Sequence, residues 1–365
     1  MLDSKGDAGL REDQKGEIIM SESTRVRLDT PFTLKNLSLR NRIVMAPMCQ
    51  YSVTAKDGRP NDWHFVHYVS RAVGGTGLII MEMTDVEPDG RITDFDLGLW
   101  SDDQIPAFAR IISEVKRYGA KIGVQIAHAG RKAKDAETPV APSAIPYDSD
   151  SKNPRALTTS EVGLMVEKFR SAARRAIEAG VDTIELHGAH GYLIHQFHSP
   201  LTNRRTDVYG EDRARFGVEV IEAVKSVMPE GMPLLFRISA VEYAEGGYDL
   251  AYSTELCRRY KEAGVDMFHI SSGGEGAPGP GRGPGNYPGY QLPMARSIRQ
   301  ALQAPVIGVG MLDEPKLAQS AVANGDADLV AVARGMLRDP YWAIHALQAV
   351  GGSFTPPKQY VRAFP

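Results

Sequence analysis

Eight short apolar runs recur along residues 43–350, and each is followed by a segment with the apolar and polar spacing of a helix. The runs are rich in valine, isoleucine and leucine without polar alternation, which is typical of parallel strands buried on both faces. Eight successive βα units predict a (β/α)8 TIM barrel of the α/β class. The predicted strands are IVMAPM (43–48), GLIIMEM (77–83), KIGVQIA (121–127), DTIELHG (182–188), LLFRISA (234–240), DMFHISS (266–272), PVIGVG (305–310) and LVAVARG (329–335).

Local signals support the helices and single out three long loops. Thr158 and Glu161 form a capping box before the third helix. Loops 129–158, 189–211 and 273–291 follow the third, fourth and sixth strands and exceed the usual ~2–6 residues. They lie at the carboxyl ends of strands, where barrels keep their active sites. The last loop is so rich in glycine and proline that it is predicted to be non-helical, either a mobile lid or a plain loop.

Length and composition favour one barrel domain. The chain has 365 residues, and a TIM barrel takes about 250, or more with insertions. We therefore predict a single domain over residues 25–365 after a flexible N-terminal extension, residues 1–24. The 42 basic and 45 acidic residues give a net charge of −3, which argues against a nucleic-acid partner. Two cysteines indicate a reducing, cytoplasmic environment, and no apolar run reaches the ~18 residues of a membrane span.

Two side chains in or beside the apolar runs are candidates for chemistry. Arg237 lies inside the fifth run, and a buried arginine needs a partner. That partner is either Glu82 or Glu185, in a structural ion pair, or an anionic ligand at the barrel mouth. Cys49 follows the first run, where a buried filler and a functional thiol both match the pattern.

The segment after the fourth strand is the richest in candidate residues. LHGAHGYLIHQFHSP contains His187, His190 and Tyr192. The two histidines match zinc ligands, with Glu82 or Asp85 supplying carboxylates. The first strand, however, does not end in the HxH pair that a barrel metal site would need, which favours the alternative of a neutral donor pair that binds a carbonyl oxygen, with Tyr192 as proton donor.

The seventh and eighth strands end in glycine-containing segments, GVG (308–310) and ARG (333–335). Many barrels bind phosphate in the loops after these strands. The glycines let backbone N–H groups approach an anion, and Arg334 adds positive charge. These segments predict a phosphorylated ligand without naming it.

Five motifs together resemble the Old Yellow Enzyme family of flavin-dependent ene-reductases, and most closely its thermophilic-like branch. The resemblance covers about residues 28–364, and Met83 departs from it where this branch usually has alanine. The motifs are NRIVMAPMCQY (41–51), VQIAHAGRKA (124–133), ELHGAHGYLIHQFHSPLTNRRTDVYG (185–210), FRISA (236–240) and ARGMLRDP (333–340).

The resemblance implies non-covalent FMN at the barrel mouth, with NADPH as hydride donor. Gln125 would bond the pyrimidine edge of the flavin, Arg237 would face the atoms that gain negative charge on reduction, and Cys49 would tune the flavin potential. The residues implied to hold FMN by its ring or its phosphate are Ala46, Pro47, Met48, Cys49, Met83, Gln125, Arg237, Gly310, Met311, Ala333 and Arg334.

The implied reaction is ping-pong reduction of the activated C=C bond of an enone or enal, or of a nitro compound. His187 and His190 would bind the substrate oxygen, Tyr51 would help place the substrate, and Tyr192 would donate the proton. A homodimer or homotetramer is implied. The segment QYVRAF (359–364) resembles one that lends an arginine to a neighbouring subunit's site, which makes Arg362 a substrate-binding candidate.

Three alternatives remain open at this point. One is another class of FMN barrel dehydrogenase, although this chain lacks a matching base motif. The second is a flavin-free, metal-dependent barrel hydrolase or lyase, and the third is a barrel that only binds its ligand.

Overall fold

The described strands close a barrel of eight parallel strands, as predicted, because the first strand, Ile43–Met45, pairs with both Leu78–Asp85 and Leu329–Val332. The computed structural model describes residues 11–12, 18–19, 26–276, 283 and 285–364. The barrel strands are β1 (Ile43–Met45), β2 (Leu78–Asp85), β3 (Lys121–Ala127), β4 (Thr183–Gly188), β5 (Leu234–Ser239), β6 (Met267–Ser271), β7 (Val306–Gly308) and β8 (Leu329–Val332).

Eight helices surround the barrel, and the predicted capping box of Thr158 and Glu161 begins the third of them. Short helices also cover Leu193–His198, Val208–Glu211 and Arg334–Arg338. The surrounding helices are α1 (Asp62–Val73), α2 (Ile105–Arg117), α3 (Thr159–Glu178), α4 (Arg215–Lys225), α5 (Leu250–Ala263), α6 (Leu292–Leu302), α7 (Pro315–Ala323) and α8 (Trp342–Ala349).

The barrel interior is apolar at its amino-terminal end, so the inward-facing polar side chains lie toward the carboxyl end. Side chains alternate across each strand, so one set points inward and packs into a cluster of its own. A hairpin, Phe32–Leu34 with Leu37–Leu39, joins this cluster through Leu37 and Leu39 and closes the amino-terminal end. The carboxyl end is therefore the open mouth.

A β-bulge in β2 changes which side chains reach the mouth. The register between β2 and β3 shifts between Met81 and Met83. Glu82, at the bulge, binds Tyr68 of α1, whose hydroxyl donates to Glu82 Oε2 at 2.6 Å. Met83 instead packs with Cys49 at the mouth. Bulges commonly re-aim a side chain in this way beside active sites.

Two predicted segments lie partly outside the described residues. Of the predicted extension, residues 1–24, only Arg11–Glu12 and Ile18–Ile19 are described, and they pair antiparallel. Of the predicted glycine- and proline-rich loop, residues 277–282 and 284 lie outside the described ranges, and with them the mobile-lid alternative. Within the described ranges, no helix combines the length and apolarity needed to cross a bilayer.

Candidate active site

Strand pairing aligns polar residues of four neighbouring strands toward the mouth. His187 in β4 lies opposite Arg237 in β5, and Arg237 lies opposite His269 in β6. Glu185 in β4 lies opposite Gln125 in β3. Residues in register on parallel strands point to the same face, so these side chains form a polar patch inside the barrel.

Glu185 is bonded on both sides by its strand neighbours. Gln125 Nε2 donates to Glu185 Oε1 at 2.7 Å, and His269 Nδ1 lies 2.8 Å from Glu185 Oε2. All three side chains are buried. The carboxylate is thus engaged within the patch and fixes the amide orientation of Gln125.

Among the described residues, no carboxylate bonds the guanidinium of Arg237, although the charge of Glu185 lies near enough to favour its charged form. The guanidinium makes no hydrogen bond or ion pair within the described part of the chain, and its Nε is buried without a partner. Glu82 faces α1, and Glu185 binds Gln125 and His269. The predicted alternative of an ion pair with either glutamate is therefore wrong. Burial lowers the pKa of Arg237, but arginine stays charged in proteins.

His187 and His190 meet edge to face, with ring centroids 5.1 Å apart. The backbone N–H of Ala189 donates to His187 Nδ1 at 3.3 Å, and His190 Nε2 lies 2.7 Å from Ser271 Oγ. Each ring therefore keeps one nitrogen without a bond to a described residue, Nε2 in His187 and Nδ1 in His190. Burial and then the charge of Arg237 lower the pKa of both histidines, which keeps them neutral.

Tyr192 and Cys49 are protonated groups beside this pair. The Tyr192 ring lies 4.9 Å from that of His187, and both Tyr192 and Cys49 pack against a small apolar cluster that includes Met83. Burial raises the pKa of Tyr192, with Cys49 adding to the effect. Burial likewise raises the pKa of the Cys49 thiol, followed by the nearby carboxyl of Glu82. Both groups are therefore neutral at physiological pH.

Three of the predicted site residues have a strained backbone conformation. Tyr51, His190 and Met311 adopt left-handed φ angles of 51°, 60° and 55°. Such conformations cost of order 1 kcal/mol or more in a non-glycine residue and cluster at functional sites. Tyr51 is half-exposed at the mouth, and the predicted flavin-lining segment Ala46, Pro47 and Met48 directly follows β1.

The predicted phosphate residues lie in one cleft with the arginine of the mouth. A cavity of about 230 Å3 is bordered by Gly310, Met311, Ala333 and Arg334 together with Arg237. Gly310 has a φ of 114°, and a Cβ on it would lie 3.0 Å from Gln291 Oε1. Both the backbone conformation and the space at this position therefore favour glycine over any residue with a side chain. The residues predicted to bind phosphate and the side chain of Arg237 therefore border the same cleft.

A second, larger cavity of about 600 Å3 opens over Tyr51 and Tyr192. Two residues that line it, Arg131 and Lys132, carry structural roles that the sequence analysis did not assign. Lys132 Nζ donates to the carbonyl oxygen of His190 at 2.8 Å, and Arg131 Nη2 donates to Glu275 Oε2 at 2.5 Å. The motif VQIAHAGRKA contains both cations, but their partners lie on distant loops.

In the part of the chain that the structure describes, no carboxylate stands in metal-ligand geometry with His187 and His190, as the zinc alternative requires. Among the described residues, the group with metal-ligand geometry is His195, Glu242 and Glu275, with ligand atoms within 4.8 Å of one another. Protein partners already engage it, since Arg131 binds Glu275 and His195 Nε2 lies 3.1 Å from Glu242 Oε1. The described geometry thus favours the neutral donor pair.

Arg362 lies apart from both cavities in this subunit. It is exposed within the short 3-10 turn Val361–Ala363. The segment contacts the start of α8, where the hydroxyls of Tyr341 and Tyr360 are 3.3 Å apart. Its predicted role in a neighbouring subunit's site stays a prediction.

Comparisons with known proteins give the relatives of this chain by sequence and by fold. The model of the NADH:flavin oxidoreductase / NADH oxidase family matches residues 27–350. An NADPH dehydrogenase of Bacillus velezensis is 47% identical over 93% of this chain and 99% of its own length, and one of Bacillus subtilis is 45% identical with the same coverage. The solved structure of morphinone reductase is 30% identical, with a TM-score of 0.77, over 93% of this chain and 94% of its own.

Proposed function

This chain belongs to the NADH:flavin oxidoreductase / NADH oxidase family, and from that membership we propose that it reduces the activated C=C bond of α,β-unsaturated carbonyl compounds. The chain is an FMN-dependent oxidoreductase with NADPH as donor. The predicted Old Yellow Enzyme family is thereby confirmed. The finer assignment, enone reduction, is the proposal.

One observation carries the proposal: two neutral histidines, each with an unbonded ring nitrogen, lie beside a protonated tyrosine. Neutral N–H donors bind a carbonyl oxygen and stabilise the negative charge that grows on it. The hydroxyl of Tyr192 is the neighbouring group that holds a proton to give. Oxygen binding by His187 and His190 would make the β-carbon of an enone electron-poor.

The residues of the mouth fit FMN on physical grounds. The buried, unpaired Nε of Arg237 requires an anionic or acceptor ligand. The adjoining cleft, with Gly310 and Arg334, has the donors for a phosphate. Gln125, fixed by Glu185, has amide atoms available for a polar ring edge. When bound, FMN supplies transfer of a hydride from NADPH to the acceptor.

The chain's own residues then supply positioning and proton chemistry. His187 and His190 would orient the acceptor oxygen, and Tyr51 would border the substrate at the cavity mouth. Tyr192 would give its proton to the α-carbon. Cys49, a neutral thiol beside Met83, would act on the flavin through its dipole rather than as a thiolate nucleophile.

The test is a visible absorption spectrum of the purified protein, followed under anaerobic conditions by NADPH and then 2-cyclohexenone. Bleaching of a flavin band by NADPH and its return with the enone is the expected result. Bleaching without return would contradict enone reduction and leave the FMN assignment intact. A colourless protein that FMN does not reconstitute, and that chelators inhibit, would favour the metal-dependent alternative.

We also propose a homodimer or homotetramer in which Arg362 reaches the partner's substrate site. The support is the resemblance of QYVRAF and the exposure of Arg362. The test mixes Arg362→Ala subunits with Tyr192→Phe subunits. If Arg362 acts across the interface, a mixed dimer has one complete site and regains activity. No recovery in mixed dimers of proven composition would contradict the role.

A further inference from the structure

Lys132 is hydrogen-bonded to both the loop after β4 and the loop after β6, which border the barrel mouth. Its Nζ donates to the carbonyl oxygens of His190, in the loop after β4, and of Gly274, in the loop after β6. The fit is tight at Gly191, where a Cβ would lie 2.3 Å from the Gly274 oxygen and 2.8 Å from Lys132 Nζ. The ammonium is therefore held against the segment that carries both His190 and Tyr192.

The same ammonium faces two aromatic rings of the large cavity. Lys132 Nζ lies 4.0 Å from the ring centroid of Tyr147 and 5.6 Å from that of Tyr192. A cation at such distances from a ring is attracted to its face. Within the described part of the chain, Lys132 is the cation that stands over Tyr192.

Tyr192 needs such a cation if it loses its proton. Its side chain is largely buried, and the nearby groups Cys49, Tyr51, Asp85 and Asp96 oppose a negative charge on its oxygen. A phenolate formed here has lost most of its hydration, which raises the cost of forming it. A nearby fixed positive charge offsets part of that cost.

We infer that Lys132 is a positioning residue for proton transfer, which holds the Tyr192 loop and stabilises the phenolate left when Tyr192 donates its proton. This inference rests on the proposed function, in which Tyr192 is the donor. In that step the O–H bond of Tyr192 breaks and a C–H bond forms at the α-carbon of the substrate. The O–H electron pair stays on the phenolate oxygen, and water later restores the proton.

The inference predicts a pH limit on substrate reduction. Burial lowers the pKa of Lys132 to about 8. Among the groups that face it, Glu275 and Asp148 favour the ammonium, while Arg131 and Lys134 oppose it. Above this pKa the ammonium is lost, and proton transfer from Tyr192 slows. The titration of Lys132 would thus appear in the step with the enone and not in the step with NADPH.

The experiment follows the two half-reactions of the holoenzyme separately by stopped flow. Enzyme reduced with NADPH is mixed with 2-cyclohexenone, and in parallel with ferricyanide, which takes electrons without needing a proton from Tyr192. The variants are Lys132→Met, which removes the charge, and Lys132→Arg, which keeps it. Lys316→Met is the control, since Lys316 is exposed on α7 and lies outside the residues that line the large cavity.

Lys132→Met is expected to slow reoxidation by the enone roughly 10- to 100-fold, to abolish its pH limit, and to leave reduction by NADPH and reoxidation by ferricyanide unchanged. Lys132→Arg should recover most of the rate, and Lys316→Met should match the wild type. In a Tyr192→Phe background, Lys132→Met should have no further effect, because the two residues act in one step.

Several results would overturn the inference. They are an unchanged enone rate in Lys132→Met, an equal loss with ferricyanide, and an additive loss on top of Tyr192→Phe. Failure of Lys132→Arg to recover the rate, when that variant folds and binds FMN as the wild type does, would also count against the charge. A wild-type enzyme that reacts with ferricyanide but not with any enone would instead remove the proposed function.

Discussion

Replacing Arg237 with methionine should stabilise the FMN-free apoprotein and lower its affinity for FMN. Arg237 is 8% exposed and its Nε has no partner. Arg71 is a matched control, since it is 7% exposed but donates to the carbonyl oxygens of Met336, at 2.8 and 3.1 Å, and of His67, at 3.0 Å. The two arginines are buried to nearly the same extent, but the N–H groups of Arg71 are hydrogen-bonded to described protein atoms and the Nε of Arg237 is not.

The structure sets opposite signs for the two variants. A buried polar group without a partner costs about 1–3 kcal/mol, so Arg237→Met should raise the free energy of unfolding of the apoprotein by that order. Arg71→Met leaves buried carbonyl oxygens unpaired and should lower it by about 2–5 kcal/mol. Methionine keeps an apolar side chain at both positions, which limits the change in packing.

FMN binding should respond in the reverse order. A hydrogen bond to a charged group contributes about 1.5–3 kcal/mol, so Arg237→Met should weaken FMN binding about 10- to 150-fold. Loss of the charge should also disfavour the reduced flavin by a similar energy. For a two-electron couple this lowers the midpoint potential by about 30–60 mV.

The assays are urea unfolding of the apoproteins, titration of FMN fluorescence, and a redox titration of the holoenzymes. Arg71→Met should show lower stability and, in its folded fraction, wild-type flavin affinity. If apo Arg237→Met loses as much stability as apo Arg71→Met, the arginine has a structural partner and the reasoning fails. Unchanged FMN affinity in Arg237→Met would equally refute it.

Four further predictions concern single side chains of the mouth and its supports. Tyr192→Phe should slow reoxidation by 2-cyclohexenone about 10²- to 10⁴-fold and spare reduction by NADPH; equal losses in both steps, measured by stopped flow, would rule out a donor role. His187→Ala should lower the enone rate about 10²- to 10³-fold and weaken binding of a phenol, seen as loss of its spectral change. Glu275→Gln should cost about 3–5 kcal/mol because it removes the carboxylate that neutralises buried Arg131. In urea unfolding, the double variant Arg131→Met with Glu275→Met should be closer to the wild type in stability than Glu275→Gln. Burial raises the pKa of Glu82 to about 8, so between about pH 4.5 and about pH 8 the folded state keeps a proton that the unfolded state has lost. The free energy of unfolding of the wild type should therefore fall with rising pH in this range, by at most about 1.4 kcal/mol per pH unit. Glu82→Gln should lack this slope.

Local periodicity and composition were sufficient to predict the barrel. Eight apolar runs without alternation correspond to eight parallel strands, because strands covered on both faces have no solvent side. The capping box at Thr158 was also readable, since its partner Glu161 is three residues away. Interactions of this range depend on the backbone period alone and need no knowledge of the fold.

The motif after β4 predicted which residues form the candidate site, but not the protonation or ligand state of its histidines. His187, His190 and Tyr192 are close in the chain, so their proximity followed from the sequence. Whether the histidines are ligands of a metal or neutral donors depended on Arg237 and Ser271, which come from β5 and β6. Burial, which sets the pKa of these rings, is a property of the closed barrel.

What the sequence determined by itself is the set of elements and the end of the barrel where function lies, because both follow from spacing along the chain. The tertiary structure alone decided the partners: that a bulge turns Glu82 toward Tyr68, that Arg237 Nε is buried without a bond to any described residue, and that Lys132 bonds both His190 and Gly274. Lys132 and Gly274 are 142 residues apart. Hydrogen bonds over such separations form only when the chain has closed, and no local pattern encodes them.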